Sequence, residues 1–141
     1  MKSTMYLKII GLVVLVYFLF NAFTSTNQPE SAGISPATPA EVEKALDNGE
    51  CAWLLFRSAT CPPCVEMLKL MNDLALEYEG KVRFLHVDVD DSKNAQLVLD
   101  WNIYYIPATF IIDTQGNITY HQVGAIPKET LRRELNKLSQ P

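Results

Sequence analysis

The chain has 141 residues, 48% of them hydrophobic, with a formal net charge of −4 and three cysteines. This length fits one domain with a single hydrophobic core that needs no metal. The acidic balance leaves no basic stripe for phosphates, which argues against nucleic acid as a partner, and three cysteines are too few for a disulfide-rich scaffold.

The first 24 residues differ in composition from the rest of the chain. Lys2 and Lys8 precede the apolar run IIGLVVLVYFLFNAF (9–23), in which only Asn21 is clearly polar. Such a start is typical of a cleaved signal peptide or an uncleaved signal anchor. No clean A-x-A cleavage site follows, so residues 1–24 are predicted to be a single-pass anchor. Because both lysines precede the run, the later chain is expected on the extracytoplasmic side, periplasmic or outer.

A linker and two core elements are predicted next. STNQPESAGISPATPA (25–40) is rich in Ser, Thr, Pro and Ala and predicts a flexible linker, which leaves residues 41–141 as the folded domain. PAEVEKALDNGE (39–50) predicts a short helix that ends at its Asn-Gly pair. CAWLLF (51–56) is continuously apolar and predicts a strand buried on both faces.

The middle of the domain alternates between helix and strand. From Cys64 onward, apolar residues recur every three or four positions, which predicts an amphipathic helix that ends at Gly80. KVRFLHVDVD (81–90) predicts a second strand. SKNAQLVLDW (92–101) predicts a short helix capped by Ser92.

The last third predicts a hairpin and a closing helix. ATFIID (108–113) and ITYHQVG (118–124) flank a TQGN turn and should pair antiparallel, and PKETLRRELNKL (127–138) should form the final helix. The order α-β-α-β-α-β-β-α predicts an α/β fold. Its βαβ part requires a parallel pairing and the hairpin adds antiparallel strands, so we expect a mixed central sheet with helices on both faces.

The stretch TCPPC carries the candidate chemistry. Cys61 is predicted at a helix N-terminus, where partial positive charge favours the thiolate, the species that attacks disulfides. Pro62 and Pro63 have no N–H groups, so the amides of Cys64 and Val65 are expected to remain available to that thiolate. One turn later on the apolar face, Cys64 is predicted to be more buried and to act as the resolving thiol.

Other interpretations of the cysteines are weaker. A zinc site would need two more ligands from Cys51, His86 and His121, which are scattered, so no metal is predicted. A purely structural disulfide would close a loop too small to stabilise the fold well. Cys51 lies in a predicted buried strand and is expected to be an inert core thiol.

In combination, TCPPC, YIPATFIID and VGAIPKETL resemble the thioredoxin family over roughly residues 40–140. The resemblance implies a thioredoxin fold and thiol–disulfide exchange through Cys61 and Cys64 with no bound cofactor. It also implies a cis Ile106–Pro107 bond, with Pro107 packed beside the cysteine pair as active-site support, together with Pro62 and Pro63. In such a site the backbone of Ile106 would pair with the substrate chain, and Gly124 would leave that chain room.

Several positions depart from the family pattern. Thr60 stands where thioredoxins usually have a tryptophan, and Leu55 stands where many have a buried acid that takes the resolving cysteine's proton. His86 on the second strand is expected to be structural. Tyr104 and Tyr105 either line the substrate groove or pack against the rest of the domain. Thr60 and Tyr105 are predicted to bind the substrate.

Together these features predict a tethered extracytoplasmic thiol–disulfide oxidoreductase, a monomer acting on exported cysteine-containing proteins. Electrons would pass to or from a membrane or extracytoplasmic redox partner. The missing amide donors and the lack of an adjacent histidine favour a reductase over a disulfide oxidase or isomerase. A non-catalytic protein-binding module of the same fold is the further alternative, and the sequence does not name the substrate.

Overall fold

The computed structural model describes residues 34–138 of the chain. The predicted anchor (1–24) and most of the predicted linker lie outside the described residues. Within residues 34–138, no helix is both long enough and apolar enough to cross a membrane.

The described chain follows the predicted order of elements. The helices are α1 (Pro39–Asp47), α2 (Pro62–Ala75), α3 (Ala95–Asp100) and α4 (Lys128–Leu138), and the strands are β1 (Ala52–Arg57), β2 (Arg83–Asp88), β3 (Ala108–Ile112) and β4 (Ile118–Val123). A single 3-10 turn, Ser92–Asn94, leads into α3.

Two predicted helix ends were wrong. Helix α2 stops at Ala75, and turns follow it rather than a helix that runs on to Gly80. The cap before the 3-10 turn is Asp91 rather than Ser92. The extended backbone of Asp91 lets its carboxylate accept a hydrogen bond from the Lys93 amide at 3.0 Å.

The four strands form one mixed sheet in the order β2-β1-β3-β4. β1 runs parallel to β2 and antiparallel to β3, and β3 pairs antiparallel with β4. The predicted combination of a parallel unit and a hairpin is confirmed. It leaves β1 in the interior of the sheet, directed toward the cysteine pair.

Strand β1 is buried from both sides because successive residues of a strand point to opposite faces. Leu54 and Phe56 belong to one apolar cluster, which includes residues of α1 and α3. Trp53 and Leu55 belong to a second cluster, on the side of α2 and α4. Helices therefore cover both faces, and this explains why the β1 sequence is apolar without alternation.

Residues just before α1 attach to the outer edge of β2. Pro36 forms a parallel bridge with His86, and the Ala37 amide donates to the His86 carbonyl at 2.7 Å. The Ile34 amide donates to Asn72 Oδ1 at 3.0 Å. These residues fall within the stretch 25–40 that predicts a flexible linker, and their hydrogen bonds fasten its end to the sheet.

The His86 side chain completes this attachment. It is 2% exposed, and Arg57 Nε donates to its Nδ1 at 3.3 Å. Because Nδ1 accepts, Nε2 carries the proton and donates to the Ile34 carbonyl at 2.7 Å. Burial lowers the pKa of His86, which the hydrogen bond to Ile34 partly opposes. His86 is thus a structural histidine, held neutral.

We expect acidification to destabilise the domain through His86. Its pKa is lowered in the folded state, so the unfolded chain takes up the proton first. Stability contributed at neutral pH is then lost as the pH falls through the unfolded value of about 6.5 toward the lower folded one. His86→Gln keeps an N–H group for Ile34 and should flatten the dependence of the unfolding free energy on pH, measured with urea.

Asn72→Ala is the matched control for this experiment. It removes the other side-chain contact to Ile34 without removing a titratable group, so it should lower stability while retaining the wild-type slope. Equal slopes in the wild type and in His86→Gln would contradict the assignment.

Candidate active site

The cysteine pair lies at the start of α2, directly after the carboxyl end of β1. Cys61 is the N-cap, with an extended backbone, and Pro62 and Pro63 fill the first helical positions. Proline suits these positions because amides there have no partner within the helix and because its fixed φ is helical. Cys61 and Cys64 form a disulfide with their Cα atoms 5.2 Å apart.

The two cysteines differ in exposure in the predicted order. Cys61 is half-buried and reaches the surface, whereas Cys64 is fully buried, with 0% of its surface exposed. Helix α2 buries the face that also carries Met67 and Met71. A partner molecule can therefore approach the sulfur of Cys61 but not that of Cys64.

The predicted free amides at the helix start were wrong. The amides of Cys64 and Val65 donate to the backbone carbonyl of Cys61, at 3.0 and 3.2 Å. An N-cap carbonyl accepts the first hydrogen bonds of its helix, and the prediction overlooked that acceptor. The Cys61 side chain makes no capping hydrogen bond in the described part of the chain, so the helix offers its sulfur only the field of the dipole.

The Ile106–Pro107 peptide bond is cis, as the resemblance implies. Ala108, the next residue, pairs with Phe56 near the end of β1, which brings this loop to the sheet edge where the cysteine motif begins. The Gly124 amide donates to the Pro107 carbonyl at 2.8 Å. Gly124 has φ +94°, a conformation that side chains disfavour, and a Cβ there would meet nothing within 4 Å.

The two tyrosines before this loop do not pack into the core. Tyr104 is 80% exposed and Tyr105 is 75% exposed. Of the two alternatives left open by the sequence, burial is therefore wrong. Ile106 is half-buried, and its side chain contacts the cluster that contains Leu54 and Phe56.

A row of side chains crosses the sheet on the α2 side. Leu55 is fully buried, and its neighbours in register are His86 on β2 and Thr109 on β3. Thr109 is also fully buried, and its Oγ1 has no hydrogen-bond partner among the described residues. No sequence pattern singles out Thr109, because a threonine within an apolar run is an ordinary strand residue.

Polar residues surround the approach to Cys61. Ser58 is 3% exposed and its hydroxyl donates to Asp90 Oδ2 at 2.5 Å. Thr60 contacts the same hydroxyl through its amide, at 3.1 Å, and through its own Oγ1, at 2.9 Å. The sequence analysis missed Ser58 and Asp90. The polar residues that follow two parallel strands were the available signal, since such strand ends meet at one edge of the sheet.

Across residues 34–138, no three His, Cys, Asp or Glu side chains are grouped so that they could hold a metal ion. Cys51 is buried and unpaired within the described chain. What the arrangement offers chemically is a pair of sulfurs that interconvert between disulfide and dithiol. A CXXC disulfide at a helix N-terminus, next to a cis-proline loop, defines a thiol–disulfide oxidoreductase.

Comparisons with known proteins name the family. The thioredoxin family matches residues 34–137. Thioredoxin of Haemophilus influenzae is 31% identical over 99 residues, which cover 70% of this chain and 90% of that protein. Thioredoxin 1 of Nostoc sp. is 32% identical over 95 residues, covering 67% and 86%. The chain therefore belongs to the thioredoxin family, with Cys61 and Cys64 as its redox-active CXXC pair.

A longer relative is similar over more of the chain. The chloroplastic thioredoxin-like protein HCF164 of Arabidopsis thaliana is 27% identical over 128 residues, or 89% of this chain. Those residues cover 49% of HCF164, so the chain spans about half the length of that relative.

Alkylation should distinguish the three thiols of the reduced protein. We expect iodoacetamide to modify Cys61 at least about tenfold faster than Cys64 or Cys51, because reactivity requires an accessible thiolate. Cys64 is inaccessible, and burial raises the pKa of the Cys51 thiol. Mass spectrometry of timed digests measures each rate. Unfolding in urea should bring the rates together, and similar rates in the folded protein would contradict the assignment.

Proposed function

We propose that this thioredoxin-family protein is a membrane-tethered, extracytoplasmic reductase of disulfides in exported proteins. The observation that carries the proposal is the difference in solvent exposure between the two cysteines of the pair. Cys61 is reachable at the open end of the sheet, and Cys64 is buried one turn below it. This contrast supports attack by Cys61 and resolution by Cys64.

In the first step the Cys61 thiolate attacks one sulfur of a substrate disulfide. A new bond forms between Cys61 and that sulfur, while the substrate's own S–S bond breaks. The second substrate sulfur leaves as a thiolate and takes a proton from water. The product is a mixed disulfide between the protein and its substrate.

In the second step Cys64 gives up its proton to water and attacks the sulfur of Cys61 as a thiolate. The mixed disulfide breaks, the substrate leaves as a thiolate that is then protonated, and the Cys61–Cys64 disulfide forms. Two electrons have moved from the protein to the substrate. A dithiol protein in the membrane or outside it would return two electrons and two protons to restore the reduced pair.

The substrate chain would bind along the loop before β3. The backbone of Ile106 makes no hydrogen bond within the described residues, and an extended peptide pairing with it would pass close to Cys61. The exposed ring of Tyr105 and the side chain of Thr60 would line that groove, and Gly124 would leave its far side open. Pro62, Pro63 and Pro107 would support the site without reacting.

We infer the direction of exchange from the few groups that could stabilise a Cys61 thiolate in the described part of the chain. A strongly stabilised thiolate makes a dithiol pair an oxidant. Here the amides of Cys64 and Val65 are engaged by a backbone carbonyl, and Cys61 receives no side-chain capping bond among the described residues. These features favour a reductase over an oxidase or isomerase. An accessible cysteine in a disulfide with a buried one likewise favours an enzyme over a binding module.

The location is proposed from the sequence of the N-terminal segment. Residues 1–24 would form a single-pass anchor in the cytoplasmic membrane, with the lysines on the cytoplasmic side. The thioredoxin domain, outside, would act as a monomer on substrates near the membrane surface.

The reduction potential of the Cys61–Cys64 pair tests the direction. We expect a value near about −270 mV, as for thioredoxin, in a fragment that begins at residue 30 and so keeps the contacts of Ile34 and Ala37. The measurement is equilibration with glutathione or dithiothreitol. Cys51→Ser is the control and should give the same value. A value near about −120 mV would make the protein a disulfide-forming enzyme.

Reporter fusions test the proposed anchor. Alkaline phosphatase joined after Pro141 should be active, and the fusion should stay in the membrane pellet after an alkaline carbonate wash. Deleting residues 1–24 should abolish both properties. An active but soluble full-length fusion would mean that the segment is a cleaved signal peptide, and an inactive fusion would contradict export.

A further inference from the structure

The hydroxyl of Ser58 links Thr60, the residue before Cys61, to the carboxylate of Asp90 in the turn that follows β2. Ser58 has a single hydroxyl proton, and a carboxylate can only accept, so that proton goes to Asp90. It follows that the Thr60 hydroxyl donates to Ser58 Oγ, which also accepts from the Thr60 amide. Ser58, which is 3% exposed, thereby makes three hydrogen bonds with defined directions.

The backbone of Asp90 is held in place by Asp88, two residues before it. The Asp90 amide donates to Asp88 Oδ1 at 3.0 Å, and Asp88 lies 3.6 Å from Arg57 in an ion pair. Asp90 itself forms no ion pair within residues 34–138. The Asp90 carboxylate, on an exposed residue, lies two hydrogen bonds from Thr60, the neighbour of Cys61.

We propose that Asp90, acting through Ser58, is a positioning residue that holds the Thr60–Cys61 turn and whose negative charge acts on the Cys61 thiolate. A nearby like charge disfavours an anion. The disulfide is uncharged, so the effect falls only on the reduced protein, whose thiolate becomes less stable. The pair is then a stronger reductant. This inference rests on the proposed function, and it assigns Thr60 a role in linking Ser58 to the cysteine turn.

A substitution that removes the charge of Asp90 but keeps the shape of its side chain tests the proposal. The reduced and oxidised forms of the full-length protein are equilibrated with glutathione in detergent at about pH 8, where more of Cys61 is thiolate. Asp90→Asn keeps an oxygen that accepts from Ser58. We expect it to favour the reduced form at least about twofold, which corresponds to about 9 mV for a two-electron couple. The alkylation rate of Cys61 should rise as well.

Two further variants separate charge from structure. Asp90→Glu restores the carboxylate and should return the equilibrium toward the wild-type value. Asp47→Asn removes the same charge from an exposed position at the end of α1, before β1 begins and so at the other end of that strand from Cys61; it should leave both readouts unchanged.

Ser58→Ala gives a second route if Asp90→Asn does not fold. It breaks the link between Asp90 and Thr60 and should shift the equilibrium in the same direction as Asp90→Asn. If the folded variants had the redox equilibrium and the Cys61 alkylation rate of the wild type, the inference would be wrong. The proposed function would still stand, provided that the wild type shows a two-electron equilibrium. If the wild type showed no two-electron equilibrium, the proposed function itself would fail.

Discussion

The pairing of β1 with its two neighbours is the constraint on which the rest of the structure depends. Because β1 is parallel to β2 and antiparallel to β3, the end of β1, the end of β2 and the start of β3 all meet at one edge of the sheet. That edge receives the cysteine turn, the carboxylates that follow β2 and the cis-proline loop. The burial of β1 on both faces fixes the position of this edge with respect to both helical layers.

Local chemistry then distinguishes the two sulfurs. The prolines start α2 without leaving unsatisfied amides, and the first turn of the helix carries Cys64 into the apolar layer. Cys61 remains at the surface as the cap. The same turn uses the amides of Cys64 and Val65 for the Cys61 carbonyl, so these amides are not available to the Cys61 sulfur.

The sequence predicts the sheet and the cysteine pair because both depend on short-range patterns. Apolar runs and helical spacing identify β1 and α2, and the CXXC motif is contiguous. The contact of Ser58 with Asp90 joins residues 32 positions apart and depends on the register between β1 and β2, which no local pattern encodes. Local sequence also does not distinguish Asp91 from Ser92 as the helix cap. Both side chains can accept a hydrogen bond from a backbone amide, and only the backbone geometry decides which one does.

The attachment of Pro36 to β2 has a consequence for how the molecule meets its neighbours. An open outer strand exposes unpaired backbone groups that can recruit a strand from another molecule. Here the backbone of His86 is already engaged, by the amide of Ala37. Pro36 itself has no N–H to offer to a further strand. The segment thus covers the β2 edge at His86, which protects that part of the sheet against edge-to-edge aggregation.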